Sequence, residues 1–341
     1  MPTDITHVVK FTAKERAELV EEERSDEPLG GDEVQGRTLV SLVSAGTEVV
    51  GCYAGAHYHI EDSSYPMNTG YAAVFEVEQV GPAVTGLAPG DVAFGACGHR
   101  SHQRKTADQV VKVPDGLAPE KAVFARMIKI SMPSFVHTRI RPPEKAVITG
   151  LGSVGLMAAQ LAQGYGYEVI ACDPDERRRG MAEEHGIRTV LPAVPVDDPN
   201  VKKRVGLGLE CSGHEQAALD LCEVLRVRGE LFLVGVPWVA RTDMTAHRIL
   251  HSVFYNYVVM QSGWEGRMPG GHEIHSPRHH FEAALRWLEE GRVVIREDAC
   301  RVASPRDCRQ QYQDILHGRL DRLSVIFDWR TLRSEERTAR D

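Results

Sequence analysis

The sequence predicts an α/β chain in two parts, an antiparallel barrel-like unit and a doubly wound parallel sheet. Three observations carry that expectation. Short apolar runs in the first third are separated by Gly/Pro turns, and from Lys145 onward apolar strands alternate with helical stretches. The chain also has 341 residues, more than one simple core accommodates.

The elements follow in order. Residues 37–44 (R-T-L-V-S-L-V-S) and 72–80 (A-A-V-F-E-V-E-Q-V) read as strands, the second closed by the Gly81-Pro82 turn. Residues 88–94 turn into another strand, and 109–114 form one more that Pro114 ends. Strands this close imply an antiparallel barrel. In the middle, 145–150 is a strand and about 154–163 a helix. A strand at 168–173 precedes a helical stretch with Gly186 as its C-cap. Strands at 206–213 and 230–237 flank a helix at 215–226. Such alternation means βαβ units and a parallel sheet. Beyond Gly263 come a helix at 278–290, a strand near 301–303, a helix near 305–317 and a strand at 323–328.

Composition narrows the function. Hydrophobic content of 42% and charged content of 26% are ordinary for a globular protein. A formal net charge of −8 argues against a nucleic-acid or anionic-membrane partner. No eighteen-residue apolar run and no signal-peptide pattern occur, so the expected location is cytoplasmic. The seven cysteines include no C-x-x-C pair and read as reduced thiols.

The stretch V-I-T-G-L-G-S-V-G holds G-x-G-x-x-G as Gly150, Gly152 and Gly155. It follows an apolar strand, opens a helix and meets Asp173 at the end of the next strand, the context a dinucleotide fingerprint requires. Gly150 permits the tight turn, Gly152 admits a pyrophosphate, and Gly155 lets helix and strand pack. Ser153 and Val154 start the helix whose N-terminus attracts the anion. Asp173 suits a ribose diol and favours NAD, while Arg177, Arg178 and Arg179 leave NADP open.

With this loop near position 150 after a strand-rich part, the chain resembles the medium-chain dehydrogenase/reductase superfamily. The resemblance rests also on S-A-G-T-E (44–48), P-x-x-x-G-Y (66–71), G-D-V-A-F (90–94), L-E-C-S-G (209–213), L-V-G-V-P (233–237) and R-L-S-V-I-F (322–327). It implies a GroES-like β-barrel catalytic domain (1–124) and a Rossmann domain (125–262). Residues 263–341 then complete the catalytic domain. It further implies a small-molecule substrate, a homodimer joined near residues 255–260, and cofactor contacts from Arg178, Cys211, Ser212, Gly235, Val236 and Arg322.

Zinc-dependent members carry three ligands that this chain lacks. The first position is Ala45, Gly-His-Glu has become Gly70-Tyr71-Ala72, and residues 124–130 hold no cysteine, histidine or acid. The four-cysteine structural lobe is reduced to Cys97. Zinc needs three or four converging N, S or O ligands, so the expectation is a zinc-free enzyme. The pairs His57/His59, His99/His102 and His272/His275 are the alternative sources of a new metal site.

Without a Lewis acid, side chains must handle the proton and charge on the substrate oxygen. Tyr71 stands at the lost ligand, and Thr47 stands where relatives touch the substrate oxygen. Glu48 is placed to orient a partner, and His99 and His102 lie on the loop replacing the missing lobe. His57, His59 and Arg126 are candidates for substrate binding. Plainer readings stand beside these: Tyr71 as space-filling, the histidines as exposed loop residues. The polar set favours interconversion of a secondary alcohol (sugar, cyclitol or other polyol) and its ketone. The alternatives are an enone reductase and a redox sensor without turnover.

Overall fold

The computed structural model describes residues 5–57, 59–267 and 277–332. Its first strands are β1 (Ile5–Ala13), β2 (Arg16–Glu23), β3 (Glu33–Leu42), β4 (Met67–Asn68), β5 (Ala73–Val80), β6 (Val92–Gly95), β7 (His102–Thr106) and β8 (Val110–Lys112). A π-helical segment, Ala45–Tyr53, follows β3. Helices α1 (Pro119–Ala122) and α2 (Ala125–His137) lead to β9 (Lys145–Thr149), α3 (Ser153–Tyr165), β10 (Glu168–Cys172), α4 (Glu176–Glu184) and β11 (Val190–Leu191). Next come β12 (Val205–Glu210), α5 (Glu215–Val224), β13 (Leu225–Leu233), α6 (Ala246–Asn256) and β14 (Val259–Ser262). The described chain closes with α7 (Pro277–Glu289), β15 (Cys300–Ala303), α8 (Cys308–Leu316) and β16 (Ser324–Asp328).

Two compact units result: Met1–Arg126 with Ser276–Glu289 and Glu297–Asp341, and Met127–His275 with Glu290–Arg296. The expected terminal segment 263–341 is therefore divided. Glu290–Arg296 groups with the second unit because Gln160 of α3 clamps Val294, accepting from its N–H at 2.8 Å and donating to its carbonyl at 3.1 Å.

The second unit is one six-stranded sheet in the order β11-β10-β9-β12-β13-β14, with every pair parallel. Its central strands are apolar along their length, with all six residues of β12 buried, as strands covered on both faces must be. The chain leaves β9 for β10 on one side and returns to β12 on the other. The carboxyl end of β9 is thus the topological switch point, where such sheets bind ligands. The residues expected to join a homodimer, 255–260, span two elements: Tyr255 and Asn256 end α6, Tyr257 turns the chain at φ 54°, and edge strand β14 begins at Val259.

The first unit holds a sheet ordered β15-β16-β3-β5-β6-β8, with β7 also paired to β3, and a smaller sheet β2-β1-β4. Strand β16 runs antiparallel to β3, so terminal strands finish a sheet begun near the start. The β1–β2 hairpin, β4 and β7 lie outside the sequence expectation. Strand β2 reads R-A-E-L-V-E-E-E, too acidic to signal a strand; pairing with β1 makes it one, at an edge where charge is tolerated. Beneath it Phe11, Tyr53 and Tyr312 pack at centroid distances of 4.9 to 5.3 Å. The helix expected near 305–317 starts as a 3₁₀ turn, Pro305–Asp307, before α8.

All seven cysteines are free, and no helix among the described residues is long and apolar enough to cross a membrane. Burial pushes the thiols of Cys97, Cys172, Cys300 and Cys308 up to about 12. An unfolded thiol ionises near pH 9, so above that pH the native chain holds more protons and stability falls as pH rises. The contribution is complete below about pH 9 and is lost between about 9 and 12. Under reducing conditions the urea midpoint is expected to be lower at about pH 10.5 than at about pH 7. Equal midpoints would refute this account of the thiols.

Candidate functional site

The glycine loop begins one residue past β9. Gly150 has φ 81°, a region that favours glycine, and a Cβ there would lie 2.7 Å from the Ser212 nitrogen. A Cβ on Gly155 would fall 1.7 Å from the Gly150 carbonyl oxygen. On Gly152 it would meet nothing within 4 Å. The outer glycines thus answer the protein's own packing, and the middle one leaves open room for a ligand. Ser153 and Val154 open α3, which brings the positive end of a 13-residue helix to that space. These residues fit a dinucleotide pyrophosphate.

Asp173 follows β10 and is 2% exposed. Its Oδ2 accepts the Leu151 N–H at 2.7 Å, its Oδ1 accepts the Asp175 N–H at 2.9 Å, and Arg178 Nη1 lies 3.6 Å from Oδ2. The residue expected only to meet a ribose therefore also braces the loop. Each carboxylate oxygen retains a second lone pair for a ribose hydroxyl.

Two neighbouring strand ends close on the loop. A Cβ on Gly155 would sit 3.2 Å from Cys211 Cβ, one on Gly235 2.5 Å from Gly213 N, and one on Gly213 2.4 Å from Val236 O. The second unit therefore gathers Gly150, Gly152, Gly155, Cys211, Ser212, Gly235 and Val236. Glu210, unnoticed in the sequence, shapes this wall: buried, it accepts the Ser212 N–H at 2.7 Å, the Gly213 N–H at 2.9 Å and the Ser212 hydroxyl. Burial raises its carboxyl above the usual range. Arg322 belongs to the first unit, exposed and 3.3 Å from Asp321. Lys129 is buried and pairs with Glu265 at 2.7 Å.

In the first unit the candidate catalytic residues surround a buried carboxylate. Glu48 is 3% exposed and accepts from Ser44 N–H at 2.8 Å, His99 Nε2 at 2.9 Å and the Tyr312 hydroxyl at 2.9 Å. Three donors compensate the charge, as burial demands. His99, expected on a loop bordering the catalytic cleft or else as an exposed loop residue, has no exposed surface and packs edge-on against Phe327. Its Nδ1 lies 2.7 Å from Ser41 Oγ, which accepts from Trp329 Nε1 at 2.8 Å. Since an indole only donates, the Ser41 proton is free for Nδ1, leaving Nε2–H for Glu48. Gly70 makes this possible: at φ 83° its absent Cβ would be 2.5 Å from His99 N.

Tyr71 donates to Ser44 Oγ, lies near the Thr47 hydroxyl, and has its ring centroid 4.7 Å below the Arg126 guanidinium carbon. Burial, and then the Glu48 charge, push its phenol up to about 12. Near neutral pH it stays a hydrogen-bond donor and is not a base. Ser44, Ser41 and Tyr312 had escaped notice as members of the site. Ser44 opens the S-A-G-T-E motif, but nothing near Tyr312 signals a partner 264 positions away.

The other histidines lie elsewhere. His102 opens β7 opposite Arg37, its Nδ1 3.0 Å from Ser101 Oγ. His57 and His59 pack on each other at 5.4 Å, and His57 Nδ1 accepts the His59 N–H at 3.1 Å. His272 and His275 lie outside the described residues. Among the described residues no three His, Cys, Asp or Glu side chains are grouped to hold a metal ion.

Comparison with known proteins agrees with this architecture. Residues 153–290 match the zinc-binding dehydrogenase family model. The chain is 28% identical over 130 residues to a 2-dehydro-3-deoxy-L-galactonate 5-dehydrogenase of Pseudoalteromonas atlantica, covering 37% of this chain and 38% of that one. It is 27% identical over 244 residues to an alcohol dehydrogenase of Geobacillus stearothermophilus, covering 59% and 71%. The fold is shared with galactitol-1-phosphate dehydrogenase from Escherichia coli, at TM-score 0.77 and 19% identity over 94% of this chain and 99% of that one. Over residues 153–290 the chain is thus similar to zinc-binding dehydrogenases, and its fold is that of solved dehydrogenase structures.

Proposed function

We propose that this protein is an NAD(P)-dependent oxidoreductase that interconverts a secondary alcohol of the sugar, cyclitol or polyol class and its ketone without catalytic zinc. The observation that carries the proposal is the Tyr71–Ser44 hydroxyl pair beside Thr47, with Tyr71 at the position where the resemblance implies a ligand histidine and Ser44 anchored through its N–H on buried Glu48. The names of the relatives, acting on sugar acids, alcohols and sugar alcohols, agree with that class.

The dinucleotide, when bound, supplies the hydride acceptor or donor. The protein's residues handle the oxygen. The Thr47 and Tyr71 hydroxyls hold the substrate oxygen as the carbonyl forms, and the alcohol proton passes to water. In the reverse direction the same hydroxyls donate to the carbonyl oxygen. Arg126 above the Tyr71 ring favours an electron-rich phenol by cation–π attraction. Glu48 and His99 act as positioning residues, since both are buried and touch Ser44 or each other. Asp173 favours NAD through the adenosine ribose. The working protein is a homodimer in the cytoplasm, joined along the β14 edge, beside which Phe254, Tyr255 and Tyr257 are 62 to 75% exposed. A monomeric mass by sedimentation would overturn the dimer.

Screening polyols and cyclitols with NAD and NADP, following reduced-cofactor absorbance and product, tests the reaction. Loss of a C=C bond with the carbonyl retained would replace this reading with enone reduction. Tyr71→Phe is expected to lower kcat by about 10²–10³-fold, with little change in dinucleotide affinity. A phenol at about 12 titrates above the working range, so the wild-type profile should show no Tyr71 ionisation below about pH 11. Full activity in Tyr71→Phe would remove the phenol from the mechanism. Asp173→Ser is expected to raise the NADP/NAD ratio of kcat/KM by about 10–100-fold, as loss of a charged hydrogen bond implies. An unchanged ratio would show that Asp173 only braces the loop.

A further inference from the structure

The second unit carries a cationic cavity remote from the glycine loop. It lies at the amino ends of β13 and β14, whereas the loop follows the carboxyl end of β9. Its volume is about 580 Å³, within the range of small-molecule sites. Arg139, Arg226 and Arg228 line it with His137, while Val227 and Val259 supply apolar wall. Arg226 is committed to Glu144 at 2.7 and 2.9 Å. Among the described residues nothing engages the side chains of His137, Arg139 or Arg228.

The local charge favours an anion. Buried Glu230 forms part of the lining, but its carboxylate is occupied by the Thr138 hydroxyl at 2.6 Å and the Arg139 N–H at 3.1 Å. The cavity lies at the C-terminus of α2, whose negative end would oppose an anion. Arg141 offsets it, donating to the carbonyls just beyond that end, Thr138 at 2.6 Å and Ile140 at 3.0 Å. Arg139, Arg141, Arg226 and Arg228 against Glu144 and Glu230 leave two positive charges in excess.

The backbone holds one of the free cations in place. Arg228 has φ 60° and donates its N–H at 2.9 Å to the carbonyl of Tyr257, itself at φ 54°. Non-glycine residues rarely adopt that region, and such strain clusters at ligand clamps. A planar guanidinium matches phosphate oxygens two at a time.

We infer that this cavity binds a phosphate-bearing small molecule, with Arg139 and Arg228 on the phosphate and any organic portion against Val227 and Val259. The inference is independent of the proposed reaction. The test is calorimetric titration of the full chain with inorganic phosphate and with phenyl phosphate at constant ionic strength, on wild type and on R139Q/R228N, whose altered side chains are exposed. Any phosphate held by the glycine loop is common to both proteins. The expected result is an affinity at least tenfold weaker in the double variant, the size expected when charged hydrogen bonds are lost. Tighter binding of phenyl phosphate than of phosphate identifies an ester as the occupant, and equal binding identifies free phosphate. Equal affinity in both proteins, or no binding by either probe, overturns the inference. Loss of dimer mass in the double variant without phosphate binding also overturns it, by assigning these cations to a subunit contact.

Discussion

A negative charge buried in the first unit organises everything around it. Glu48 cannot shed water unless donors replace it, and the three that do come from different parts of the chain: Ser44 beside it, His99 on a loop, and Tyr312 on α8. Satisfying one carboxylate therefore ties the π-helical segment, the loop before β7 and the last helix into one body. The Trp329–Ser41–His99 chain extends the same constraint to the strand layer. Removing any one donor would leave a buried charge under-compensated, which is why the set acts as a unit.

The Tyr71–Ser44 hydroxyl pair is a consequence of that anchor. Ser44 turns its N–H to Glu48 and its oxygen to Tyr71, so the phenol is oriented by the group that holds the carboxylate. The same charge helps to keep Tyr71 protonated. Placement and protonation state therefore share one cause. The second unit solves its problem differently: steric exclusion at Gly150 and Gly155 sets the turn, and Asp173 locks it through Leu151 N–H.

Legibility differed between the two parts for physical reasons. The parallel sheet was readable because strands buried on both faces are apolar throughout and the phosphate turn has a local glycine requirement. Lys145–Thr149, Gly150, Gly155 and Asp173 all carry that signature within thirty residues. The β1–β2 hairpin was not readable, because an acidic edge strand looks like surface and becomes a strand only by pairing. His99 misled for a related reason: a histidine in a glycine-containing loop resembles a solvated residue until Glu48 and Ser41 are brought to its two nitrogens.

By itself the sequence determined the order of elements, the two-part architecture, and the loop Gly150–Gly155 with Asp173. These depend on local backbone geometry and residue chemistry, which neighbouring residues encode. Only the tertiary structure decided that Asp173 braces the loop, that Glu290–Arg296 joins the second unit, that His99 is buried, and that Tyr312 meets Glu48. Each of those depends on contacts between residues far apart in the chain, where a buried polar group must find whichever partner the fold delivers.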